Sequence, residues 1–98
     1  MAAPETVRVD YRNIDGVHVF TSEDVSSLYV ADRDPGRAYE EVPLALHELL
    51  KFNKVDENAY YRASMSTAEF LKFIGYLDGS VPHPSVTAAK NVPYTRAV

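Results

Sequence analysis

The chain has 98 residues, enough for one domain whose core needs neither a metal nor a disulfide. Its 46% hydrophobic and 24% charged fractions, with 7 tyrosines and 4 phenylalanines, are those of an ordinary globular protein and exclude wholesale disorder. The lack of cysteine excludes disulfides, thiolate chemistry and cysteine zinc sites, and a net charge of −4 argues against a nucleic-acid-binding surface, which needs clustered Lys and Arg.

The charge is unevenly placed. Between Thr21 and Glu41 stand six acids, Glu23, Asp24, Asp32, Asp34, Glu40 and Glu41, against Arg33 and Arg37, so this segment carries the whole net charge. A solvated loop and helix start accounts for it, and so does an acidic docking patch for a basic protein. No stretch approaches the roughly 18 apolar residues of a membrane span, and "MAAPETVRVD" lacks the basic start and apolar run of a secretory signal. A cytoplasmic protein with no membrane contact is the expectation.

In chain order, "TVRVDYRNIDGVHVFTS" opens with period-two alternation, Val7, Val9 and Tyr11 on one face and Arg8, Asp10 and Arg12 on the other. Asn13 to Gly16 supplies turn residues, and Asp15-Gly16 tolerates positive φ, so a hairpin is predicted with Val17, Val19 and Thr21 opposite His18 and Phe20. After the polar "SEDVSS", "LYVA" suits a third strand.

"DRDPGRAYEEVPLALHELLKFN" then predicts a helix capped by Asp34, with Pro35 in its first turn and Ala38, Val42, Ala45, Leu46 and Leu49 on one stripe. Pro43 predicts a kink, or two helical pieces meeting near Glu41, and the apolar stripe that continues across it predicts one interrupted helix, not two unrelated elements. "AYYRASM" is a candidate fourth strand with Tyr61, Ala63 and Met65 on one side. "STAEFLKFIGYLDG" starts with a capping box, Ser66 and Glu69, carries Phe70, Phe73, Ile74 and Leu77 on a stripe, and stops at Asp78-Gly79. From Ser80 to Val98 the prolines 82, 84 and 93 and the lack of sustained periodicity predict an extended or disordered tail. No internal repeat is visible.

His47-Glu48 in "LALHELLKFN" begins a zinc-hydrolase signature, but the second histidine would stand at position 51, which is Lys51. His18 and His83 have no motif spacing to it. The pair reads as the polar flank of an amphipathic helix, and no metal or cofactor is expected. A Gly-x-Ser-x-Gly elbow and a phosphate-cradling glycine loop are absent. Glu23-Asp24 and Glu40-Glu41 are sequential carboxylates that tend to point apart, and the hydroxyls of Thr21, Ser22, Ser26 and Ser27 lack an indicated base. These observations predict no catalytic residues and no enzyme.

The stretches "VHVFTSEDV", "LYVADRDPGRAYEE" and "LLKFN" resemble the HicB-like domain of short antitoxin proteins, over roughly residues 7 to 65. The resemblance implies a three-stranded meander followed by a helix and a fourth strand. It also implies a non-enzymatic module that pairs with itself through its sheet and covers a basic ribonuclease toxin. Ser26-Ser27 stands where that family often has Pro-Gly, and one helix and a tail stand where a DNA-binding domain would follow, so operator binding is not implied.

The combined expectation is an α+β domain over residues 1–79, an antiparallel sheet of three or four strands in the order β-β-β-α-β-α with helices on one face, and a tail over 80–98. Its function is expected to be inhibitory protein binding, with Glu23, Asp24, Asp32 and Asp34 steering a basic partner and Tyr29 at the contact. The partner is a ribonuclease toxin or a host nucleic-acid enzyme, and the protein is expected to form a homo-oligomer. The alternatives are a small viral or mobile-element inhibitor acting as a nucleic-acid mimic, and a structural homodimer.

Overall fold

A computed structural model describes residues 5–55, 58–76 and 90–97. The elements are β1 (Thr6–Ile14), β2 (Val17–Thr21), β3 (Tyr29–Asp32), α1 (Pro35–Phe52), β4 (Tyr60–Ala63), α2 (Thr67–Phe73) and β5 (Lys90–Ala97). They form an α+β fold with a five-stranded antiparallel sheet in the order β3-β2-β1-β5-β4. The sheet therefore has one strand more than expected. The added strand comes from the expected tail: Lys90–Ala97 lies inside the sheet, paired with both β1 and β4. The remainder of that tail, residues 80–89 and 98, falls outside the described residues.

The β1–β2 hairpin turns on Asp15 and Gly16, whose φ values of 52° and 86° are those of a type I′ turn, and Asn13 Oδ1 accepts the Gly16 N–H at 2.9 Å. The flanking pair Ile14–Val17 is hydrogen-bonded in such a turn, and alternation then assigns every backbone direction in the sheet. Residues 8, 10, 12 and 14 of β1 face β2, while 7, 9 and 11 face β5.

Two features follow from this register. β2 ends at Thr21, so Arg8 has no strand partner on that side, and the loop supplies one: Asp24 Oδ2 accepts the Arg8 N–H at 2.8 Å and Ser22 Oγ donates to the Arg8 carbonyl at 2.6 Å. Ser22 Oγ also accepts the N–H groups of Asp24 and Val25 at 3.1 Å each, folding the loop so that Val25 and Leu28 join the core. On the other side, Pro93 sits in an internal strand, a place where proline is normally excluded. Its missing N–H would point towards β4 at the position after Ala63, where β4 has ended, so no ladder bond is lost.

One face of the sheet carries Val7, Val9, Tyr11, Phe20, Val30, Val92 and Tyr94, and both helices pack on it. In β2 the core side is His18 and Phe20, not the valines. Phe70 of α2 lies at the centre, stacked on Tyr39 at 4.2 Å and edge-on to Tyr11 at 5.4 Å. Tyr39 donates its hydroxyl to the Met65 carbonyl at 2.5 Å, tying α1 to the start of α2.

Asp34 caps α1 as expected, with Oδ1 accepting from the N–H groups of Gly36 and Arg37. As the apolar stripe continuing across the proline implies, α1 is one helix running through Pro43. Pro43 has no N–H for the carbonyl of Tyr39 four residues earlier, and the Tyr94 hydroxyl donates to that carbonyl at 3.4 Å. The buried β5 residue thus serves the acceptor that the proline leaves over. The capping box of Ser66 and Glu69 is present, but α2 ends at Phe73. Gly75 follows at φ 79°, an αL stop before the expected Asp78-Gly79. Phe73 is accordingly a half-exposed end residue that carries Lys90 Nζ 4.9 Å above its ring.

Candidate functional site

The expected site residues lie at the two ends of one strand. Glu23 and Asp24 lie in the loop after β2, at the end of β3 marked by Tyr29, whereas Asp32 and Asp34 lie at its opposite end. Three residue steps lead from Tyr29 to Asp32, a span of about 10 Å. Three of the four acids also have duties inside the fold. Asp24 holds Arg8 through the backbone bond and a 3.4 Å ion pair, and these contacts keep its carboxyl below the usual carboxylate range. Asp32 Oδ1 accepts the Asp34 N–H at 2.8 Å, and Asp34 caps α1. Glu23 is exposed beside Arg8, Asp10 and Asn91.

Tyr29 is different: it stands on the edge strand with 68% of its surface exposed. Because Phe20–Val30 and His18–Asp32 are the hydrogen-bonded pairs between β2 and β3, the N–H and C=O groups of Tyr29 and Ala31 point away from the sheet. Among the described residues no strand covers that side. Beside it runs α1, and the two elements enclose a groove made of two adjoining hollows of about 390 and 500 Å³, both lined by Tyr29, Ala45 and Glu48. Leu44 and Glu41 complete one hollow, Leu49 and Phe52 the other. Leu44 is 60% and Phe52 83% exposed. The lining includes Glu41 and Glu48 and no Lys, Arg or His.

The helix face of this groove was overlooked in the sequence, although its spacing is legible there. Glu41, Leu44, Ala45, Glu48 and Phe52 follow at i, i+3, i+4, i+7 and i+11, a second stripe beside the buried one of Ala38, Val42 and Leu46. Comparison with known proteins finds no matching family model, no matching curated protein and no matching solved structure.

The two histidines among the described residues have structural partners. His47 Nδ1 donates to the Ala59 carbonyl at 2.8 Å and its ring stacks on Tyr60 at 4.1 Å, so the residue of the zinc-like pair fastens α1 to β4. His18 is buried, shares a 2.6 Å hydrogen bond with Tyr11 Oη, and burial pushes its pKa down against the opposing pull of Asp34 and Asp32. Burial also pushes the Tyr11 hydroxyl up to about 12, so it keeps its proton. Among the described residues no helix is long and apolar enough to cross a membrane.

Proposed function

We propose that the protein is a non-enzymatic binding module that captures and inhibits a basic protein partner in the cytoplasm, in the manner of an antitoxin. The observation that carries this reading is the edge of β3. There Leu44 and Phe52 expose apolar surface next to Glu41 and Glu48 with no basic residue in the lining, and the exposed Tyr29 ring stands on the other face of the same edge strand. Tyrosine and other large side chains anchor interfaces, and acidic neighbours favour a basic partner and raise its association rate. Glu23, exposed in the loop after β2, adds a carboxylate at the Tyr29 end of the same strand, whereas Asp24, Asp32 and Asp34 serve the fold. The resemblance of residues 7 to 65 to the HicB-like domain points the same way, towards a ribonuclease as the captured protein.

The test is affinity capture from the native lysate by the tagged protein and by a variant with Glu41→Lys and Glu48→Lys, two exposed changes that leave the caps and the Arg8 contacts intact. A basic protein retained by the unmodified chain, lost from the variant and released by salt, is the expected result. Equal retention by both, insensitive to salt, would remove the acidic groove from the reading.

A further inference from the structure

The geometry points to strand addition at β3 as the way this surface binds, an inference that rests on the binding-module reading and specifies its partner. We infer that the occupant is an extended segment with Lys or Arg at alternate positions and apolar or β-branched residues between them.

The backbone argument comes first. Tyr29 and Ala31 offer their N–H and C=O groups outward, a ready ladder for one more strand. Unpaired edges of this kind are where proteins add a peptide strand, with main-chain bonds supplying affinity and alternate side chains supplying specificity.

The side-chain argument fixes the chemistry. On an added strand alternate side chains face the helix side of the sheet, the side of Val30, and enter the groove between β3 and α1. Its lining there includes the apolar Val30, Leu44 and Ala45 together with the exposed carboxylates of Glu41 and Glu48. Lysine and arginine match this combination, because the aliphatic stem lies along apolar surface while the charged head reaches a carboxylate. The intervening side chains meet Tyr29 and Ala31 on the opposite face, where β-branched neighbours pack well. A second copy of this chain is a poorer occupant, since pairing β3 with β3 brings the same two glutamates from each copy towards one another.

The experiment is an NMR titration of the full chain with a short capped peptide alternating lysine and valine, and with a control alternating glutamate and valine. The largest shifts, with slowed amide exchange, are expected at Tyr29 and Ala31 with the lysine peptide alone. Ala31→Pro removes one outward N–H without touching the bonds to β2, and is expected to abolish these shifts with the rest of the spectrum retained. Glu41→Gln and Glu48→Gln are each expected to weaken binding by about two- to fivefold.

Peptide binding that leaves Tyr29 and Ala31 unmoved, equal binding of the glutamate control, or no binding at millimolar peptide would overturn strand addition. So would a dimer of the protein alone that Ala31→Pro dissociates, because a second copy would then hold the edge. The lysate capture run with Ala31→Pro separates the two levels. A basic partner still retained by this variant refutes the docking mode and leaves the binding reading standing, whereas no partner retained even by the unmodified chain refutes the binding reading itself.

Discussion

Tyr94→Ala measures whether the C-terminal residues are a strand or a tail. Tyr94 is fully buried, packs 6.0 Å from Tyr39 and pairs with Val7 in β1. An aromatic side chain buries about 150–250 Å², so at about 25 cal/mol per Å² its removal forfeits a gross 4–6 kcal/mol. Alanine keeps part of this and the unfolded chain hides part, which brings the expected loss to about 3–5 kcal/mol. Against a total stability of about 5–15 kcal/mol this is a large fraction, visible as a fall of more than about 10 °C in Tm or of at least about 1 M in the urea midpoint. A loss under about 1 kcal/mol would refute the placement of β5.

Tyr94→Phe probes the finer contact. The 3.4 Å bond to the Tyr39 carbonyl is long, so its removal should cost only about 1 kcal/mol. Pro43→Ala returns an N–H to that carbonyl, and in its background the cost of Tyr94→Phe should fall towards zero. Equal costs in both backgrounds would show that the hydroxyl does not compensate for the proline.

Three further outcomes are expected. The folded His18 binds a proton less readily than the unfolded one. Stability should therefore be complete above about pH 6.5 and fall as pH drops below it, by at most about 1.4 kcal/mol per pH unit, until the depressed folded pKa is passed. His18→Gln should flatten urea midpoints between pH 6.5 and 5, to the order of magnitude of that slope, and an unchanged slope in the variant would assign it elsewhere. Ser66→Ala should cost about 1 kcal/mol in urea denaturation, because the Glu69 N–H loses its 3.2 Å acceptor; no loss would mean that the box contributes nothing to α2. Asp24→Ala should cost about 1 kcal/mol and speed exchange of the Arg8 amide, which no strand of the sheet protects, and a still-protected amide would refute the role given to the loop.

The local rules were readable where the residue that sets the geometry is also the residue in the motif. Asp15-Gly16, Asp34-Pro35 and Ser66 with Glu69 act on their own backbone, and the turn, the cap and the box stand where the sequence puts them. Readings failed where the partner is distant. Lys90–Ala97 alternates Val92 and Tyr94 inward, but two inward residues around a proline form a weak pattern, and the ladder vacancy that admits Pro93 depends on where β4 stops. At Pro43 the continuous helix was legible from its apolar stripe, but the β5 hydroxyl that serves the Tyr39 carbonyl was not. At the site, acidity was counted along the chain, which does not tell an aspartate that caps or bridges from one left facing solvent. Asp24, Asp32 and Asp34 were counted with the free charge, while Glu41 and Glu48, in register with Leu44 and Phe52, were not recognised as one face.

The two edges of the sheet bear on the expectation of self-association. On β3 the helix beside the edge presents two carboxylates, and a two-fold pairing of copies there would gather four in one interface. Like charges brought together with partial loss of water repel, which offsets main-chain bonds that Tyr29 and Ala31 would make to a second copy. At β4 the cover is of another kind: Tyr60 stacks on His47, and the neighbouring hollow of Arg62, Ala63, Thr95 and Arg96 contains two arginines. Opposite charges on the two edges would favour head-to-tail contact between copies, an arrangement that leads to open chains unless its rotation closes. Rising salt weakens both that contact and the capture of a basic partner, but only the first depends on the protein's own concentration. A mass that stays constant over a dilution series in low salt therefore leaves β3 open for a different polypeptide.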